Sequence, residues 1–283
     1  GASLAVSTFR MNLLGATNVT QNAGALSAAS GIVRYSGNLD QSIIPGQYKV
    51  LTLTGSGSVH TKTSAGGLSF AASGQLTVDT NDTLYVSTGN LDLATNTPTL
   101  INSSAIKVAG NATFSGSITN AGTFYYAGTS TQTIGAVTYA NLRIGATGAK
   151  TFPSGTVAVR GNYSIDAGTG ARDYTTNTST FQFAGTSGTQ TVSNLSETFY
   201  ILQFTGGAAK TLGGSTMGAS RLDVLSGSGV VTNNVTTVTL TNLTNVSLTI
   251  AASTELVNNG TINMNGDLQN DGILTNTGTI GVY

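Results

Sequence analysis

Glycine recurs every six residues in two stretches of this chain, at Gly110, Gly116, Gly122 and Gly128 and again at Gly260, Gly266, Gly272 and Gly278. Two positions after these glycines an apolar residue usually follows: Ala112, Ile118 and Phe124 in the first block, Ile262, Leu268, Leu274 and Ile280 in the second. Asn120-Ala121-Gly122-Thr123 also has its counterpart in Asn276-Thr277-Gly278-Thr279. Asn and Gly tolerate positive φ, so each Asn-x-Gly reads as a turn and each Thr-apolar pair as a short strand. A short strand followed by a short turn fits one side of a β-helix coil. A set of small β-hairpins is the competing reading, because Asn-Gly also marks hairpin turns.

A longer repeat occurs three times. Its first copy runs Tyr35-Ser36-Gly37, Gln41-Ser42-Ile43, then Tyr48 to Leu53. The second runs Tyr126-Ala127-Gly128, Gln132-Thr133-Ile134, then Tyr139 to Ile144. The third runs Phe183-Ala184-Gly185, Gln190-Thr191-Val192, then Phe199 to Phe204. The two later copies continue to Lys150-Thr151 and Lys210-Thr211. An aromatic before a glycine turn, followed by alternating strands, describes an aromatic plug with strands laid over it, the Gln bonding a turn backbone. Core packing is the reading favoured for these aromatics over ligand stacking. Further alternation at Leu76, Val78, Leu84 and Val86, and from Val238 through Leu243 to Ile250, adds strands.

Charged residues make up 8% of the 283, with no net charge, while 39% are hydrophobic. Average globular chains carry roughly a quarter charged residues. Low charge with ample apolar content supports a packed structure rather than disorder. No basic stripe exists to engage nucleic acid, and no apolar run approaches the ~18 residues of a membrane helix. The expected fold is all-β: an elongated parallel β-solenoid (β-helix) built from Gly/Asn/Thr-rich short-strand repeats, with a β-sandwich or hairpin-based fibre domain as the alternative. Residues 1–33 read as an N-terminal strand segment, donated to or packed on a neighbour or forming the first rung, and 34–283 as the solenoid body.

The Gly-Asn-x-Thr-x-x-Gly, Asn-Asn-Gly-Thr and Gly-Thr-x-x-Gln-Thr-Ile…Asn-Leu patterns resemble the low-charge repeats of bacterial β-solenoid surface and adhesin-like proteins. The resemblance covers roughly residues 34 to 283 and is architectural.

Chemistry is sparse. The chain has one histidine, His60, and no cysteine, so a zinc site or a thiol nucleophile has no basis. Asp79 and Asp82 are weak calcium candidates, but turn chemistry explains them, as it does Asp166 and Asp173 near Arg160 and Arg172, and Asp267 and Asp271. No acid/base pair is identifiable, no phosphate loop is present, and no catalytic residue or cofactor is expected.

The termini carry the functional expectation. Leu4, Val6, Phe9, Met11 and Leu13 alternate like a strand, and the six-residue repeat continues through Ile280 to Val282 and Tyr283. One chain's end then completes the sheet of the next, and a non-closing contact of unlike ends makes a filament. The expectation is an exported extracellular or cell-surface structural protein, its signal peptide removed, forming a head-to-tail homopolymer. The alternative is a cell-surface adhesin or glycan-binding module facing a glycan or surface target. A polysaccharide-active β-helix enzyme ranks third.

Overall fold

The computed structural model describes residues 10–14, 26–115, 119–241 and 245–283. The chain is all-β without a helix, and its parallel strands form a β-solenoid of about 12 turns. Contacts divide it into two compact units, one of residues 1–150 with 165–171 and the other of residues 151–164 with 172–283.

In the first unit, one parallel sheet stacks Arg10–Leu13, Leu26–Tyr35, Gly46–Leu53, Leu68–Val78, Leu91–Leu93 and Ala112–Phe114 in that order. A second stacks Gln41–Ile43, His60–Ser64, Asp82–Val86, Ala105–Val108, Thr123–Tyr126 and Asn141–Ile144. Arg10–Leu13 pairs within its own chain, Arg10 opposite Ile32 and Leu13 opposite Tyr35. Leu26–Tyr35, which crosses the 33/34 boundary expected from sequence, pairs with Gly46–Leu53. In the second unit, Gly155–Val159, Ser179–Phe183, Thr198–Phe204, Ala209–Val224, Val231–Leu240, Glu255–Asn258 and Ile273–Asn276 follow one another across a parallel sheet.

The six-residue period is one side of a turn. Thr261–Met264, Asp267–Asn270 and Ile273–Asn276 are successive sides, and Thr279 then stacks on Thr261, 18 residues earlier. Turns elsewhere are looser: Leu256 lies over Val231 after 25 residues. Glycine marks the tightest corners. A Cβ on Gly278 would sit 1.9 Å from the carbonyl oxygen of Gly260 one turn below, so no larger residue fits.

Strand alternation sends one set of side chains inward. In Asp82–Val86 the residues Asp82, Leu84 and Val86 are buried, whereas Thr83 and Tyr85 face out. The repeat aromatics fill the interior as expected: Tyr35, Tyr48, Tyr126, Tyr139, Phe183 and Phe199 are each 1% exposed or less. In the second unit, Phe181 has ring neighbours in Phe152, Tyr163, Tyr174, Phe183 and Phe199, with centroids 4.8 to 5.8 Å away. Buried phenols need partners, and the first two repeat copies supply them identically. Tyr35 Oη accepts from Ile44 N–H while Tyr48 donates to the Ile44 carbonyl. Tyr126 and Tyr139 hold Gly135 in the same way, at 3.0 and 3.1 Å. The third copy has Phe at both places and no such clamp.

Candidate functional site: polar corners and an open turn

Each copy of the longer repeat builds the same buried polar corner. The glycine after the aromatic donates its N–H to the repeat's glutamine: Gly37 to Gln41 at 3.2 Å, Gly128 to Gln132 at 2.7 Å, Gly185 to Gln190 at 3.0 Å. The glutamine amide nitrogen reaches back to carbonyls of the preceding turn, Leu13 for Gln41, Val108 and Gly110 for Gln132, and Val159 and Gly161 for Gln190. The carbonyl of the same glycine accepts from a lysine one turn later: Lys62 on Gly37 at 2.5 Å, Lys150 on Gly128 at 3.1 Å, Lys210 on Gly185 at 3.2 Å. All three lysines are 0% exposed. Burying such polar groups is tolerable only because turn carbonyls surround each nitrogen. Lys210 also donates to Gly206 and Ala208, both at 2.6 Å, and Lys150 to Gly148 at 2.6 Å. Burial still lowers both lysines from their ordinary value, Lys210 to about 8.

Sequence reading recognised the Lys-Thr pair in the later copies and missed Lys62-Thr63 in the first. The signal was present, since Lys62 lies opposite no aspartate in the ladder and aligns with Gln41 as the other lysines follow theirs. The first corner alone adds an acid. Asp82, also 0% exposed, places Oδ1 3.4 Å from Lys62 Nζ. Neither Asp82 oxygen takes a hydrogen bond. Burial raises this carboxyl above its ordinary value, against the opposing pull of Lys62.

Asp79, the other calcium candidate, is engaged elsewhere: it accepts from Thr80 N–H at 2.8 Å and from the Thr54 hydroxyl at 3.3 Å. The two aspartates thus share a turn but are drawn to different partners, and the described residues contain no group of three His, Cys, Asp or Glu able to hold a metal. Asp173 accepts from Thr175 and Thr176 in its turn, and the bonds from Thr176 and then Thr175 hold its carboxyl down at about 2. Arg172 pairs with Glu197 at 2.8 Å. Asp166 pairs not with Arg160 but with Arg143, at 2.8 Å, and accepts from Tyr125 Oη at 2.7 Å.

That pairing closes an outward column in the first unit. Tyr85, Lys107, Tyr125 and Arg143 are successive register partners on neighbouring strands. Lys107 Nζ lies 4.4 Å from the Tyr85 ring centroid and 5.4 Å from that of Tyr125, and the Arg143 guanidinium lies 4.5 Å from Tyr125. The cations therefore occupy the ring faces.

A second ladder runs through the last turns. Asn233 donates to Asn258 at 2.8 Å, and Asn258 donates to Asn276 at 2.8 Å. Asn258 also donates to its own corner at Gly260, 3.0 Å away, and Asn276 repeats this toward Gly278 at 3.2 Å. Stacked asparagines of this kind tie identical corners together.

Of the expected assembly residues, Leu4, Val6 and Phe9 lie outside the described residues. Met11 and Leu13 are half-buried in the first described strand. Ile280 is half-buried, while Val282 is 68% and Tyr283 82% exposed. They belong to one turn, in which Asp267–Asn270, Ile273–Asn276 and Thr279–Val282 each pair with the turn below. Its inward column is left open: Leu268 is 37% exposed, while Leu248 beneath it is 0%.

No family model, no curated protein and no solved structure matches this chain.

Proposed function

We propose that this chain is an extracellular structural protein of the bacterial β-solenoid surface type, non-catalytic, which extends end to end by laying a second copy of itself on the open turn. The observation that carries the reading is the turn formed by Asp267–Asn270, Ile273–Asn276 and Thr279–Val282. Its strands are paired on one side, and its interior residues Leu268, Leu274 and Ile280 stand above the fully packed column of Leu248, Leu256 and Ile262. An unpaired strand edge templates further pairing. The chain carries no net charge, so copies approach without long-range repulsion. The occupant is a second copy whose own turn continues the parallel register, a heterologous contact that propagates.

A glycan-binding reading would look to the Tyr85–Tyr125 column, but those ring faces are already taken by Lys107 and Arg143. The test is light scattering and electron microscopy of the purified chain at rising concentration. End-joined oligomers that grow with concentration, and that Ile280→Lys suppresses, support assembly. Monodisperse single copies at every concentration overturn it.

A further inference from the structure

We propose that Lys62 and Asp82 become joined by an amide bond, an intramolecular cross-link between neighbouring strands of successive solenoid turns. The two residues come from His60–Ser64 and Asp82–Val86, which pair in parallel with His60 opposite Asp82. Both side chains are 0% exposed and Lys62 Nζ stands 3.4 Å from Asp82 Oδ1. The carboxyl is otherwise orphaned, both of its oxygens lacking a hydrogen bond. An ionised carboxylate buried in that condition is costly, and proton transfer between the partners of a buried pair replaces two charges with a neutral amine and a neutral acid.

The surroundings of the nitrogen suit that neutral form. Lys62 donates to the carbonyls of Gly37 at 2.5 Å and Leu39 at 2.8 Å. A neutral amine has two hydrogens, which these carbonyls take, and one lone pair, which is left for the third neighbour, Asp82. The sister corners show that the lysine does not require an acid. Lys210 is satisfied by three carbonyls, of Gly185, Gly206 and Ala208, and Lys150 bonds the carbonyls of Gly128 and Gly148. Asp82 is therefore an addition to a corner that is complete elsewhere without it.

In the reaction, the Nζ lone pair adds to Asp82 Cγ and a C–N bond forms. One proton passes from nitrogen to the carboxyl hydroxyl, the C–OH bond breaks, and water leaves. No oxidant, reductant or co-reactant is needed. The product keeps one N–H for the turn carbonyls and replaces the orphaned carboxyl with an amide. Burial then keeps water from reversing the step.

The experiment is intact-mass spectrometry of the purified full chain under denaturing conditions, followed by tryptic mapping. The expected mass is lower than the sequence mass by one water, about 18 Da. Trypsin then leaves residues 50–107 as one cross-linked peptide, because acylated Lys62 is not cleaved, and Asp82→Ala restores both full mass and cleavage after Lys62. The native chain alone decides the matter, so a variant that folds poorly leaves the test intact. Full mass with cleavage after Lys62 overturns the proposal. So does a water loss that maps elsewhere, such as Asp271-Gly272.

Discussion

Lys150 reaches back one solenoid turn to donate to the carbonyl of Gly128 at 3.1 Å, the same glycine whose N–H is held by Gln132 at 2.7 Å. A single buried peptide group is thus tied to its own turn on one side and to the next turn on the other. The pattern recurs at Gly37 and Gly185, which makes these corners the points where the stacking of turns is specified.

Gln132→Ala leaves the Gly128 N–H and the carbonyls of Val108 and Gly110 without this partner. A buried group left unsatisfied costs ~1–3 kcal/mol, and urea denaturation is expected to show a loss of that size. Gly128→Ala is expected to cost more, since its Cβ would fall 2.2 Å from the Ala109 carbonyl oxygen and 2.6 Å from Gln132 Cδ.

Alkaline pH acts on the buried groups with opposite signs. Burial pushes Lys210 down to about 8 and raises Tyr126, Tyr139, Tyr163 and Tyr174 above the ordinary phenol. Between about pH 8 and the ordinary lysine value near 10.4, the unfolded chain keeps a proton that folded Lys210 has released, so stability rises with pH. Above about pH 10 the unfolded phenols ionise while the buried ones stay neutral, so stability falls. A urea midpoint followed from pH 7 to 11 is expected to climb slightly and then drop. In Lys210→Met the climb from this lysine is lost and the drop remains.

Phe181→Ala is expected to cost ~3–5 kcal/mol, the range for emptying a buried aromatic site, because Phe181 is 0% exposed among five aromatic neighbours. Arg143→Ala on the outward column is expected to cost under about 1 kcal/mol, since its pair with Asp166 is largely solvated. Thermal denaturation of the two variants side by side measures the contrast, and a larger loss for Arg143→Ala would contradict it.

Asn258→Asp is expected to destabilise far more than Asn258→Ser. The asparagine is 0% exposed and its amide nitrogen donates to Asn276, Gly260 and Thr279. A carboxylate there would face three acceptors with a charge and no donor, a cost of about 3 kcal/mol or more. Chemical denaturation near neutral pH, where the new acid would ionise, makes the comparison.

Much of this architecture was legible locally. The spacing from Gly260 to Gly278 and the apolar residues two positions on specify a short strand, a tight corner and an inward side chain, because backbone freedom and alternation are properties of neighbouring residues. The three aromatic-glycine-glutamine units announced interior plugs for the same reason. Which residues meet across turns depended instead on turn length, which runs from 18 residues between Thr261 and Thr279 to 25 between Val231 and Leu256. Those lengths set the stacking register, and the register alone placed Asp82 against Lys62, Asp166 against Arg143 rather than Arg160, and Lys107 between Tyr85 and Tyr125. Local sequence thus determined a turn's sides and corners, while tertiary stacking decided their partners, because contacts between turns join residues some twenty positions apart in a low-dielectric interior.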